Sequence, residues 1–147
     1  MGRVEEINIG PFETVPAPVQ SAEAHAGKGL VGNRYYFESG AEPGRALTLI
    51  AAEALAGLAA EHGIELSAAE SRRNVLTSGI DLNALVGKRF RVGDVECEGV
   101  ELCEPCTSLE AMTQPGVIKG LVHRGGLNAD ILSDGVISVG DEVVESS

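Results

Sequence analysis

The stretch Arg89-Phe90-Arg91-Val92-Gly93-Asp94-Val95-Glu96-Cys97-Glu98 decides the fold. Gly93-Asp94 reads as a tight turn between two strands, residues 89–92 and 95–102, with Cys97 alternating against Val95 and the glutamates. The same Val-Gly-Asp turn returns at Val139-Gly140-Asp141, between strands over 136–139 and 142–144. Two copies are too few for an internal repeat. Outward from these turns, residues 3–9 suit an edge-like first strand, and Pro11, Pro16 and Pro18 break regular structure after it. Residues 46–50, 74–77 and 128–132 read as further strands, the last of them joined to the strand over 136–139 by the turn Ser133-Asp134-Gly135. Residues 51–62 read as an Ala-rich helix stopped by Gly63. Ser67-Ala68-Ala69-Glu70 matches a capping box, Asp81 caps a short segment over 82–86 ended by Gly87, and a helix over 107–112 follows a thiol pair. The total is about eight short strands with two or three helices and few βαβ spacings. The expectation is a mainly β (α+β) fold, a closed or nearly closed barrel, in one domain over residues 1–147.

The length suits one domain with a real core, which must be aliphatic because Trp is absent. No apolar run approaches the ~20 residues of a membrane span. The start, Met1-Gly2-Arg3-Val4-Glu5-Glu6, goes straight into charge with no signal-peptide apolar region. The reading is a cytoplasmic protein with no membrane partner. A formal net charge of −11 argues against nucleic acid, which needs a basic face. It leaves room for a small anionic ligand, because Arg72-Arg73 and His123-Arg124 are adjacent pairs and Arg34 lies close to Arg45.

A thiol is the only good soft nucleophile and soft metal ligand on offer. Three cysteines in such a chain are poor evidence for disulfides, and Cys97 reads as a half-buried strand residue. Cys103-Glu104-Pro105-Cys106 places a thiol pair at the start of a helix, with Pro105 suited to the first turn. Four readings stay open for the pair. They are a redox dithiol, for which the surrounding βαβ pattern is missing; a zinc site needing Cys97 and His123 as further ligands; two structural thiols; and a reactive or metal-binding thiol, for which Cys106 is the better candidate. Arg72-Arg73-Asn74 reads equally as a solvated rim or as a fork for an oxyanion. His123, in a loop soon after the thiol helix, is placed to tune the thiol or protonate a leaving group, or is simply exposed; His25 in the glycine-rich stretch 24–36 is similar. His62 closes a helix and reads as structural. That glycine-rich stretch matches neither a phosphate loop nor a dinucleotide fingerprint, and no Ser/His/Asp set or carboxylate pair stands out.

In order and spacing these pieces resemble the MOSC family, named for the C-terminal region of molybdenum cofactor sulfurase. The matching segments are Gly29-Leu30-Val31-Gly32-Asn33-Arg34-Tyr35, Leu47-Thr48-Leu49-Ile50 through Leu55, Arg72-Arg73-Asn74-Val75 with Gly79-Ile80-Asp81-Leu82 and Leu85-Val86-Gly87, Val92-Gly93-Asp94-Val95, Cys103-Glu104-Pro105-Cys106, and Gly125-Gly126-Leu127-Asn128-Ala129-Asp130-Ile131-Leu132 with Val139-Gly140-Asp141. The resemblance implies a barrel-like fold that binds molybdenum cofactor (molybdopterin) or handles sulfur for metal–sulfur centres. It implies that Cys106 ligates molybdenum, with Cys103 and His123 as further catalytic candidates. Gly32, Asn33, Arg34, Arg72, Arg73, Asn74 and Arg124 would then bind the cofactor. The implied chemistry is reduction of N-hydroxylated or related small molecules, with an electron-donor reductase as partner. In the alternative, Cys106 carries a persulfide loaded by a separate cysteine desulfurase; pyridoxal phosphate would sit on that partner, not on this chain. A non-catalytic binding or regulatory module is the third possibility. Asn33 stands where the family usually has aspartate, and Tyr35 where histidine is frequent.

Overall fold

The turn at Gly93-Asp94 forms as expected: Val92 faces Val95 and Phe90 faces Cys97 across an antiparallel pair. The computed structural model describes residues 2–12 and 14–146. Its strands are β1 (Gly2–Ile9), β2 (Ala17–Val19), β3 (Ser21–His25), β4 (Gly29–Leu30), β5 (Leu47–Ala51), β6 (Val75–Ser78), β7 (Arg89–Val92), β8 (Val95–Leu102), β9 (Leu127–Ile131), β10 (Gly135–Ser138) and β11 (Glu142–Glu145). Strands β11-β7-β8-β9-β5-β6-β1 pair in that order, and β1 pairs back onto β11 through Gly2↔Val143 and Arg3↔Glu142. That closes a seven-stranded barrel with no free edge inside the ring.

Alternation fills the barrel. Val4, Ile7, Leu47, Leu49, Val75, Phe90, Val92, Cys97, Leu127 and Ile131 point inward and are almost wholly buried. Each such aliphatic contributes about 1.5–3 kcal/mol over its exposed state. Helices α1 (Ala52–His62) and α2 (Ala68–Ser71) connect β5 to its parallel neighbour β6. α1 has no side-chain N-cap and ends on left-handed Gly63, as anticipated; α2 carries the full Ser67/Glu70 capping box. Helices α3 (Thr107–Met112) and α4 (Val117–Leu121) fold back against α1. Leu58, Ile64, Leu66, Leu109, Val117 and Leu121 make this second, smaller core. Gly120 lets α4 approach, since a Cβ there would overlap Leu58.

The structure departs from the sequence reading in several places. β1 is not an edge: it sits between β6 and β11 and also carries β2, with a bulge between Val4 and Glu6 that absorbs the adjacent glutamates. The glycine-rich stretch 24–36 is not wholly loop, because β3 and β4 form a hairpin that joins β10 in a three-stranded sheet. α4 had no counterpart in the sequence reading. Among the described residues, no helix is long and apolar enough to cross a membrane.

Candidate functional site

The site begins where β8 ends. The Cys103 N–H donates to the Gly126 carbonyl at 2.7 Å, and the Cys103 carbonyl accepts from Arg73 Nη2 at 2.9 Å. Gly125 must be glycine for this loop to lie flat, since a Cβ would overlap the Cys103 carbonyl oxygen. Cys106 is the N-cap of α3: its backbone is extended and its Sγ accepts from the Leu109 N–H at 3.4 Å. The Cys106 side chain is exposed, whereas Cys103 is only partly so. Burial pushes the Cys103 thiol up, against the opposing pull of Arg73. Cys97 lies in the barrel core opposite Phe90 and Ile131, and burial pushes its thiol up to about 12. The half-buried reading of Cys97 therefore understates its burial, and Cys97 is withdrawn as a zinc ligand. Among the described residues no group of three or more His, Cys, Asp or Glu could hold a bare metal ion.

Arg73 is buried, and its guanidinium spans three carbonyls: Gly125 from Nε at 2.8 Å, Ser71 from Nη1 at 3.1 Å and Cys103 from Nη2. Arg72 adopts a left-handed φ of 63° and donates from Nη1 to the Thr14 carbonyl. Arg34 donates from Nη2 to the Arg72 carbonyl at 3.0 Å. Burial lowers the Arg34 pKa, Tyr35 opposes the shift, and repulsion from Arg72 and Arg73 adds to it. Arg34 and Arg45 each lie 5.5 Å from the centre of the Tyr35 ring, which Phe12 meets edge-on at 5.4 Å. Among the described residues, no carboxylate approaches Arg34, Arg45, Arg72 or Arg73 within 4.0 Å.

The neighbouring amides divide. Asn74 is occupied: its Oδ1 accepts from Thr48 N and Oγ1, each at 3.2 Å, and its Nδ2 donates to the Asn8 carbonyl at 3.1 Å, tying β1 to β5. Asn33 is buried, its Oδ1 accepts from the Gly10 N–H at 3.4 Å, and its Nδ2 has no partner. Gly32, exposed at φ 88°, leads the chain into it.

His123 and Arg124 belong to a different wall. Glu104 grips His123 twice, accepting from the backbone N–H at 2.6 Å and meeting Nδ1 at 2.8 Å. His123 takes a left-handed φ of 59° and its carbonyl accepts from Asn83 Nδ2. Arg124 pairs with Glu61 Oε2 at 2.8 Å and donates to the Gly120 carbonyl at 3.0 Å. Both line a cavity of about 550 Å³ that neither thiol touches. Thus Arg34, Arg72, Arg73 and Cys103 come together, and His123 joins the thiol loop through Glu104. Sequence reasoning missed Arg45 as a member of the cluster, Tyr35 as its platform, and Glu104; only the nearness of Arg34 to Arg45 along the chain hinted at the first.

A family model described as the MOSC domain matches residues 21–144. Among solved structures, the YuaD protein of Bacillus subtilis superposes with a TM-score of 0.84 at 18% identity, covering 100% of this chain and 97% of that one. YiiM of Geobacillus stearothermophilus gives 0.78 at 17% identity, covering 100% and 76%. YiiM of Escherichia coli gives 0.72 at 17% identity, covering 99% and 70%. At these identities the likeness speaks for the fold alone. No curated protein matches the chain.

Proposed function

The chain belongs to the MOSC domain family, and from that membership we propose that it binds molybdenum cofactor, with the Cys106 thiolate as the metal's protein ligand. One observation carries this reading: in a chain of net charge −11, four arginines without carboxylate partners among the described residues gather beside the thiol loop. Arg34 is part-buried there with Arg72 and Arg73 opposing its charge, and an anion beside them would relieve that repulsion. The donor set fits as well. One accessible soft thiolate suits a metal that brings its other ligands with it, and the residues do not suit a bare ion. The unpartnered Asn33 Nδ2 marks this wall as incompletely satisfied.

Within this reading Arg34, Arg45 and Arg72 meet the cofactor's phosphate and Tyr35 offers a flat face beside them. Arg73 and Asn74 hold the walls, their polar atoms being engaged by the protein. Cys106 presents its sulfur from the cap of α3, and Cys103, kept protonated by burial, stands behind it. A molybdenum centre held there supplies two-electron reduction of N-hydroxylated or related small molecules, with electrons from an external reductase.

The test is metal retention after anaerobic reconstitution with released cofactor, wild type against Cys106→Ser. Stoichiometric molybdenum lost in the variant supports the reading; equal retention in both removes Cys106 as ligand. A second reading, a sulfur carrier, is favoured by the exposure of Cys106 alone. It requires intact mass to show one added sulfur after incubation with a cysteine desulfurase. If neither signal is seen, a non-catalytic module is left.

A further inference from the structure

We infer that the pocket flanking the arginine cluster, lined by Tyr35, Phe37, Ser39, Glu42 and Arg45, holds the base of a guanine nucleotide whose phosphate sits on Arg34 and Arg72. The base pocket stands without the cofactor. The inference rests on the reading above only where it identifies the nucleotide with part of that cofactor.

The pocket is built from two consecutive turns. The Gly40 N–H donates to the Phe37 carbonyl at 2.9 Å, and the Arg45 N–H to the Glu42 carbonyl at 3.0 Å. Bonds from Phe37 N–H to the Lys28 carbonyl and from Ala41 N–H to the Gly27 carbonyl fasten both turns to the β3–β4 hairpin. The volume, about 310 Å³, leaves room for one flat ring system. The chain has three phenylalanines, two tyrosines and no tryptophan, yet Tyr35 and Phe37 both line this pocket, and Phe12 backs Tyr35 edge-on. Phe37 is 40% exposed, surface that a stacked base would take out of water. The polar lining has both signs. Among the described residues the Arg45 guanidinium lies over the Tyr35 ring and donates to no protein oxygen, and the Glu42 carboxylate and Ser39 hydroxyl meet no protein donor. Guanine answers that pair. Its neighbouring N1–H and exocyclic amine are the two-pronged complement of a carboxylate, and its O6 and N7 accept from a guanidinium. Adenine and uracil lack the paired donors. Arg34 joins pocket to phosphate seat: it lies 5.5 Å from the centre of the Tyr35 ring, as Arg45 does, and donates to the Arg72 carbonyl at 3.0 Å. Arg45 stands between the two, with donors enough for phosphate and base. With no phosphate loop in the glycine-rich stretch, these guanidiniums supply the positive charge themselves.

The test is calorimetric titration of the full-length protein, purified without cofactor, with GMP, guanosine, AMP and UMP, and amide spectra to locate the ligand. GMP should bind once per chain and shift Phe37, Gly40, Glu42 and Arg45. AMP, UMP and guanosine should each be weaker by about tenfold or more. Glu42→Gln should weaken GMP about tenfold and leave AMP as it was. Phe37→Leu should weaken GMP and AMP alike, about tenfold. Equal binding of the four ligands, shifts away from this pocket, or wild-type discrimination in Glu42→Gln would overturn the assignment. Two sources of the nucleotide are told apart by reconstitution, and either one supports the site. Molybdenum held about tenfold tighter from a cofactor form that ends in a guanine nucleotide than from the form that ends in a phosphate gives the pocket to the cofactor. Equal retention from both forms, with GMP competing against each, gives it to a free nucleotide. GMP binding in a protein that retains no molybdenum from either form removes the cofactor reading and leaves this one standing. Molybdenum retention without any response to GMP does the reverse.

Discussion

Replacing Arg73 by methionine tests whether that side chain is a buried brace rather than a free anion fork. The variant loses bonds of 2.8, 3.1 and 2.9 Å to the carbonyls of Gly125, Ser71 and Cys103. Three charge-assisted bonds at about 1.5–3 kcal/mol each make a gross loss of about 5–9 kcal/mol. The native guanidinium also carries a desolvation penalty of several kcal/mol that methionine does not. The difference leaves a net destabilisation of about 2–4 kcal/mol. Urea unfolding reads this as a lower midpoint at unchanged slope. Because two of the three carbonyls belong to the thiol loop and its glycine floor, Cys103 should also become open to alkylation under native conditions while the barrel stays folded. Lysine at the same place keeps the charge but lacks the fork, and should fall between wild type and methionine. A methionine variant that loses less than about 0.5 kcal/mol, with Cys103 as protected as before, would refute the brace.

The glycines give a paired contrast. Gly126→Ala drives a Cβ into the Leu49 carbonyl at φ 114° and should cost more than about 3 kcal/mol or abolish soluble expression. Gly57→Ala meets the far ends of the long Arg124 and Glu61 side chains, which can shift together, and should be neutral or stabilising by up to about 1 kcal/mol in thermal melts. Native alkylation should modify exposed Cys106 first and core Cys97 only on unfolding, which peptide mapping at intervals will show. The Cys97 thiol, raised from 9.0 to about 12, makes the fold alkali-sensitive. The unfolded chain releases this proton first, so stability present below about pH 9 falls by about 1.4 kcal/mol per pH unit between pH 9 and 12. Cys97→Ala should flatten that slope in urea titrations at graded pH.

Local chemistry made much of the molecule legible. The alternation around Gly93-Asp94, the capping box at Ser67, the Gly63 stop and the helix after Cys106 are all settled within a few residues of sequence, and the structure repeats them. What escaped was fixed at a distance. α4 has five residues and no cap of its own; Glu110 Oε1 accepts from the Gly116 and Ile118 N–H groups and starts it from another helix. β2 contains Pro18, tolerable only because it lies outside the ring against β1. Arg72 and Arg73 are adjacent letters with unlike surroundings: one turns outward through a left-handed backbone and the other is swallowed by carbonyls on loops 30 and 52 residues away. No pattern in the letters separates them. The same holds for His123, whose partner Glu104 is 19 residues distant.

Closure of the barrel by β1 and β11 sets an order of events during synthesis. Among the described strands β1 is made first, yet its partner β11, at residues 142–145, is made last. Until then β1 has β6 on one side and, short of the residues 7–9 that β2 covers, an unpaired flank on the other, while β7 has an open flank of its own. Two sticky edges are therefore displayed until β11 is in place. Their pairing spans nearly the whole chain, the slowest kind of contact to form by diffusion. The acidic excess of the sequence then has a use before folding is complete, keeping nascent copies apart while the ring waits for its final strand.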